Sequence, residues 1–230
     1  MNFESTRFLE PIGRATVQDR VYLELRRALI EGHFEPGQVL TIRGLAEVLA
    51  TSTMPVREAL GRLVTEKALE ALPNRSVRVP AITAKRIDDL LQARILIEGE
   101  AVALAASNMT KESVAVLKNA LKALDEVQTG DKDGHKGLAL NQAFHFEVYR
   151  LCGSAVLLSI IESLWLQSGP ATRVAIFALD KINVSDRAHQ HRRIVDALAA
   201  GDATAARQAL IADISRPFEL LKSQMHAATG

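Results

Sequence analysis

Apolar positions along this chain follow one rhythm up to about residue 80 and another beyond it. Between Thr16 and Glu31, Val17, Val21, Leu25, Ala28 and Leu29 recur at helical spacing with charges between them, which predicts a helix with one buried face. Gly32 ends that run, and Glu35-Pro36-Gly37 predicts a turn. A short helix is expected from about Thr41, its N-cap, to Leu49. A third begins at Ser52, the expected N-cap, with Pro55 in the first turn, where its missing N–H costs nothing. Val56, Ala59, Leu60, Leu63 and Val64 form the apolar stripe of that helix, while Thr53, Met54, Arg57 and Glu58 lie off it. Two β-like runs follow, Glu70–Leu72 and Val77–Val79, with Pro73-Asn74-Arg75-Ser76 between them. Three helices and a small hairpin predict a winged helix-turn-helix.

Beyond Pro80 the β signals stop. Helical periodicity runs on from Ala84, with breaks expected near Asn108-Met109-Thr110, Thr129-Gly130, Cys152-Gly153, Gly169-Pro170, Asn183 and Gly201. These breaks predict about six or seven helices in a bundle. The fold class is therefore mainly α, an N-terminal winged helix-turn-helix followed by an all-helical bundle. Its expected divisions are an N-terminal arm over 1–15, a DNA-binding domain over 16–80, and an effector-binding and dimerisation domain over 84–228.

Composition narrows this picture only a little. Ala and Leu dominate and aromatics are 4%, which favours helix packing over sheet sandwiches. No apolar run approaches the roughly 20 residues of a membrane span, and Met1–Phe8 lacks a signal pattern. The single cysteine, Cys152, forms no internal disulfide, so a reduced, cytoplasmic setting is expected. Bulk charge does not mark a nucleic-acid binder. Residues 1–80 carry 11 Lys and Arg against 10 Asp and Glu, and the remainder of the chain balances. Any such role rests on where the arginines stand.

Their placement is specific. Gly32-His33-Phe34-Glu35-Pro36-Gly37, then Leu45-Ala46, then Ser52-Thr53-Met54-Pro55-Val56-Arg57-Glu58-Ala59-Leu60 resembles the GntR family of bacterial regulators in order and spacing. The resemblance implies a recognition helix whose first turn enters the major groove of double-stranded DNA. It brings Ser52, Thr53, Met54 and Arg57 to base edges or phosphates, Arg43 to the backbone, and Asn74 and Arg75 to the wing tip. Two positions depart from the family pattern, which often has Arg at Thr53 and Gly at Ser76. Glu58 is expected to be structural, pairing Arg62 one turn on.

Residues 84–228 resemble the helical FCD domain of the FadR branch of that family. The matching pieces are Arg94 with Glu98, Asn141 with Phe144-His145, and Gln190-His191 with Ile194, followed by Ala197-Leu198 and Gly201-Asp202. Many such domains hold a divalent metal, and carried over by position the ligand set is Asn141, His145, His191 and Asp213, for Zn²⁺ or Ni²⁺. Spacing agrees with that set. Asn141 and His145 share a helix face, and His191 and Asp213 stand nearly equidistant from the turn at Gly201. Asn141 and Asp213 depart from the usual Asp and His, and a buried His–Asp hydrogen bond is the alternative. His33, His135, His189 and His226 are read as surface or turn residues. The resemblance also implies a small carboxylate effector, with Arg94 and Arg173 as candidate anion clamps. For Arg94 an ion pair with Glu98 is equally open. Trp165 and Phe144 are read as core or pocket wall.

The function expected is a homodimeric, ligand-responsive regulator on a palindromic operator, a repressor of metabolic genes released by a small organic acid. The alternative is a metal-dependent hydrolase with a 2-His-1-carboxylate site. No H-E-x-x-H, G-x-S-x-G or phosphate-binding glycine loop accompanies that ligand set.

Overall fold

Local capping chemistry starts the first helix. In the computed structural model, which describes residues 16–73, 76–128 and 135–227 (for 128, 135 and 180–188 the backbone alone), α1 spans Val17–Ile30. The Thr16 hydroxyl accepts from the Asp19 N–H at 3.1 Å, and the Asp19 carboxylate accepts from the Thr16 N–H at 3.0 Å. This reciprocal box satisfies two donors that a helix start leaves open. Val21, Tyr22, Leu25, Leu29 and Ile30 are the buried face, and Gly32 ends the helix with φ +70°. After β1 (Val39–Leu40), α2 covers Ile42–Val48 under a Thr41 cap, and α3 covers Thr53–Thr65. Ala50, in the turn between α2 and α3, takes φ 48°, a left-handed conformation unusual for a residue with a side chain.

β2 (Glu70–Ala71) and β3 (Val77–Arg78) form the expected hairpin, and β1 adds to it on the far side of β3. All pairings are antiparallel, with Arg78 opposite both Val39 and Glu70. An ion pair of 2.7 Å between Arg78 and Glu70 braces the hairpin across the strands. The pattern analysis did not anticipate β1, because two residues are too few to show an alternation.

The bundle comprises α4 (Ala84–Ser107), α5 (Lys111–Gln128), α6 (His135–Arg150), α7 (Ala155–Ala199) and α8 (Ala203–Ala227). Thr83 and Ser154 cap α4 and α7, and Gly153 and Gly201 make the left-handed turns on either side of α7. Two expected breaks are absent. Gly169-Pro170 and Asn183 lie inside α7, a continuous helix of 45 residues, so the bundle has fewer and longer helices than the pattern predicted.

Gly169 has a different purpose from helix termination. A Cβ there would stand 2.1 Å from the Leu29 carbonyl oxygen and 2.8 Å from that of Ile30. The glycine lets α7 lie directly against the end of α1, and packing on both sides holds the helix together through Pro170. Arg173, one turn on, pairs with Glu35, and Arg26 of α1 pairs with Glu162 at 3.0 Å. The N-terminal winged unit is thus seated on the same helix that runs through the bundle core.

Candidate functional site

Two surfaces carry chemistry, and they are built in opposite ways. On α3, Val56, Ala59, Leu60 and Leu63 are buried and fasten the helix to α1. The opposite side presents Ser52, Thr53, Met54, Arg57 and Glu58 to solvent. Met54 is 60% exposed, an apolar side chain left in water amid polar neighbours. Ser52 stands at the N-cap but makes no side-chain cap bond, so the first N–H groups of α3 remain available to an outside anion. Arg57 has no ion pair among the described residues, and Arg43 is exposed on α2. Asn74 and Arg75 lie outside the described residues.

The expected Glu58–Arg62 pair is not formed. Arg62 instead bonds Glu66 at 3.1 Å and stacks 3.6 Å above the Tyr22 ring. Glu66 is also one turn from Arg62, and the Tyr22 hydroxyl, donating to it at 2.8 Å, fixes it in place. Burial first, then this bond to the Glu66 carboxylate, raises the Tyr22 hydroxyl above its ordinary pKa. Arg62 is therefore bound into the α1–α3 joint.

The second surface is internal. His145 on α6, His191 on α7 and Asp213 on α8 are all buried, and their ligand atoms lie within 4.8 Å of one another. His145 Nε2 is 3.1 Å from one Asp213 oxygen, and His191 Nε2 is 3.3 Å from the other. The turn at Gly201 brings His191 and Asp213 level, as their spacing from it predicts. Asn141, one turn before His145, lines the same cavity.

A polar chain extends from this cluster to α4. His145 Nδ1 is 3.2 Å from the Tyr149 hydroxyl, which donates to Glu98. Glu98 in turn holds Arg94 Nε at 2.6 Å, and Arg94 Nη1 reaches Thr172 of α7 at 3.4 Å. Burial first, then the Glu98 charge, pushes the Tyr149 hydroxyl well above its ordinary pKa, so it stays protonated and donates. Burial works against the Arg94 charge, yet Glu98 outweighs it and raises the guanidinium pKa.

These roles assign the proton on His145. With the Tyr149 proton committed to Glu98, the Tyr149 oxygen accepts from His145 Nδ1–H. Nε2 then faces Asp213 Oδ2, an acceptor, at 3.1 Å. Two acceptors at that separation require a proton or a metal ion between them. Two imidazoles and a carboxylate are a donor set suited to Zn²⁺ or Ni²⁺, and an outer hydrogen bond that orients a ligating imidazole is a general feature of metal centres. The residues present fit such an ion.

The cavity beside the cluster has about 20 Å³ of free volume and is also lined by Arg94, Trp165, Thr172 and Phe218. Arg94 is both ion-paired with Glu98 and part of this wall, with its guanidinium 4.9 Å over the Trp165 ring. Arg173 does not line the cavity. It stacks over Phe177 and reaches Glu35, at the contact with the N-terminal winged unit. Among the other histidines, His33 pairs with Glu31, His189 is exposed, His226 contacts the Lys222 carbonyl, and the His135 side chain lies outside the described residues.

Comparison with known proteins identifies both regions of the chain. Residues 17–79 match the family model for bacterial regulatory proteins of the gntR family, and residues 89–216 match that for the FCD domain. The chain belongs to the GntR family. Members of this family with an FCD domain are DNA-binding transcription regulators whose helical domain takes a small-molecule effector, and this chain is a regulator of that type. It is 30% identical over 202 residues to the HTH-type transcriptional regulator McbR of Escherichia coli K12, covering 87% of this chain and 90% of that protein. It is 32% identical over 197 residues to the "Probable D-xylose utilization operon transcriptional repressor" of Paenarthrobacter nicotinovorans, covering 86% of this chain and 85% of the other. The solved structure of E. coli McbR/YncC superposes with a TM-score of 0.84 at 29% identity, covering 92% of this chain and all of that one (100%). Nothing in these comparisons supports the hydrolase alternative. No helix among the described residues is long and apolar enough to cross a membrane.

Trp165, expected as core or pocket wall, lines the cavity, but Tyr149 and Thr172 were not singled out in the sequence. Tyr149 carried a usable signal, since 141, 145 and 149 are successive one-turn steps along one face of α6. Thr172 carried none, because its approach to the cavity depends on how α7 crosses its neighbours.

Proposed function

We propose that this GntR regulator is a cytoplasmic homodimeric repressor of metabolic genes that senses a small carboxylate at a metal centre in its bundle. The observation that carries this reading is the facing of His145 Nε2 and Asp213 across 3.1 Å with the Nδ1 proton already committed. His145, His191 and Asp213 would hold the ion, Zn²⁺ or Ni²⁺, with Asn141 at the edge of the set. The ion would supply a Lewis-acidic anchor for a carboxylate oxygen. Charge supports an anionic partner. Arg94 and Glu98 cancel, and Asp213 with a divalent cation leaves one net positive charge, which a monocarboxylate neutralises.

Operator contact falls to Ser52, Thr53, Met54 and Arg57 of α3, with Arg43 on the backbone and Asn74 and Arg75 at the wing. Two copies read a palindromic operator, one half-site each. Signal passes along α7, because Thr172 and Ile176 face the cavity while Gly169 and Arg173 meet α1 and the turn beyond it. An effector that favours one arrangement of α7 shifts the population of DNA-competent dimers. The test pairs metal analysis with operator binding. Purified protein should contain Zn²⁺ or Ni²⁺, or take it up on loading, and lose it in the His145→Ala/His191→Ala double variant. A wild-type protein that holds no metal after loading ends the metal reading. DNA selected from a random pool should be palindromic, and a set of single-half-site sequences would end the dimer reading.

A further inference from the structure

One buried donor in the bundle has no internal explanation. Trp165 is 3% exposed and its indole Nε1 is fully enclosed, with no hydrogen-bond partner among the described residues. Buried indole N–H groups ordinarily find an acceptor, because leaving one unpaired forfeits the bond it makes with water. Packing alone would be served equally by phenylalanine. The ring is already held on several sides, by Phe146 at 5.3 Å, His145 at 5.5 Å and the Arg94 guanidinium at 4.9 Å. Its position is therefore fixed before any ligand arrives.

The surroundings define what would pair with it. Trp165 lines the same cavity as Arg94, Asn141, Thr172, His145 and Asp213. Arg94 spends Nε and Nη2 on Glu98, while Nη1 has only the 3.4 Å contact with Thr172. The indole N–H, Arg94 Nη1, the Asn141 amide and the Thr172 hydroxyl are donors among the lining residues, and the Asp213 carboxylate is an acceptor. A ligand rich in acceptors matches those donors. The free volume of about 20 Å³ holds one water-sized group, so a carboxylate would place a single oxygen there and the lining would have to yield to the rest of it.

We propose that Trp165 is an effector-binding residue, its Nε1–H donating to an oxygen of a small carboxylate seated between Arg94 and the His145–His191–Asp213 cluster. This rests on the reading of that cluster as the effector site. It adds a contact that distinguishes a carboxylate from its amide, since an amide NH₂ turned toward the indole would meet a second donor. The indole would sense anion binding directly, in a cavity where Arg94 is already charge-compensated.

The chain has one tryptophan, so its ¹H–¹⁵N spectrum contains one indole resonance. Full-length, zinc-supplemented protein labelled at the indole nitrogen is titrated with sodium formate, the carboxylate nearest the cavity in size. Sodium chloride at equal ionic strength and formamide are run in parallel. The indole proton is expected to move downfield in a saturable way with formate and to stay in place with chloride and formamide. By calorimetry, Trp165→Phe is expected to bind formate about 10-fold more weakly, the loss of one hydrogen bond to a charged acceptor. If formate binds wild type by calorimetry while the indole resonance stays still, this assignment is overturned and the effector site stands. If formate gives neither binding heat beyond that of sodium chloride at equal ionic strength nor a shift of the indole resonance, both fall. The resonance is read in the wild-type protein, so the outcome does not depend on the variant folding.

Discussion

The α3 surface and the bundle cavity both use arginine, and they use it in opposite states. Arg57 stands in water with no ion pair among the described residues, ready for a polyanion that arrives from outside. Arg94 is 2% exposed and locked to Glu98, whose carboxylate also accepts from Tyr149. An external partner large enough to bring its own charge is met by cations left free. An internal partner is met by charges balanced in advance, so that one extra anion or cation changes the net charge of the whole cluster. The proposed DNA-contacting residues can therefore be altered at little cost to the fold, whereas altering the proposed sensor endangers it.

That contrast can be broken most sharply at Glu98. Glu98→Ala would strand the Arg94 guanidinium in the core, and a stability loss of about 3–5 kcal/mol is expected in denaturant unfolding. An unchanged midpoint would mean that Arg94 escapes to solvent and that the internal charges are not interdependent. Next is Gly169→Ala, which places a methyl against two backbone carbonyls that cannot move aside. A loss of about 1–3 kcal/mol is expected, together with a weaker effect of effector on operator affinity. Wild-type stability in that variant would remove the α1–α7 contact as a fixed joint.

Arg57→Ala should behave in the reverse manner. Operator affinity falls by about 1–3 kcal/mol in a gel shift while the melting temperature is unchanged. The smallest effect concerns the two tyrosines, one on each side of the contrast. Both are raised above 10.0, each by burial first and a carboxylate partner second. An acid whose folded pKa is raised contributes stability that is complete below its unfolded pKa and is lost as pH climbs toward the folded value. Absorbance at 295 nm should therefore show little tyrosinate in native protein near pH 10, with ionisation appearing together with unfolding at higher pH. Ionisation of one tyrosine at its ordinary pKa in folded protein would contradict the bond assigned to it.

Much of this arrangement was legible in the residue pattern because it is local. Thr41 caps α2 through a bond spanning three residues, as expected, and the stripe of α3 follows from its own spacing, although Ser52, expected as the cap of α3, makes no cap bond. The level placement of His191 and Asp213 was also accessible, since counting from one turn suffices in an antiparallel pair. What escaped depends on neighbours distant in sequence. Gly169-Pro170 has the composition of a loop, but the glycine serves Leu29, 140 residues earlier, and packing overrides the proline. Arg62 had Glu58 and Glu66 at equal distance along the helix, and the choice was made by Tyr22 from α1. Thr172 became cavity wall only through the crossing of α7 over its neighbours, the same crossing that settles Trp165, expected as core or pocket wall, as wall.

The unbroken course of α7 fixes the length of the chain between its two ends. Gly169 and His191 are 22 residues apart on one helix, roughly 33 Å along its axis, with no loop between them to absorb a change. Inserting a single residue there would turn everything downstream by about 100° and carry His191 off the side that meets Asp213. Two inserted turns would restore the heading but displace His191 by about 10 Å from its partner. Ala175, Ile176 and Leu179 in this stretch are buried, so substitutions there are a matter of packing. Insertions and deletions are a matter of register, and the helix has none to spare.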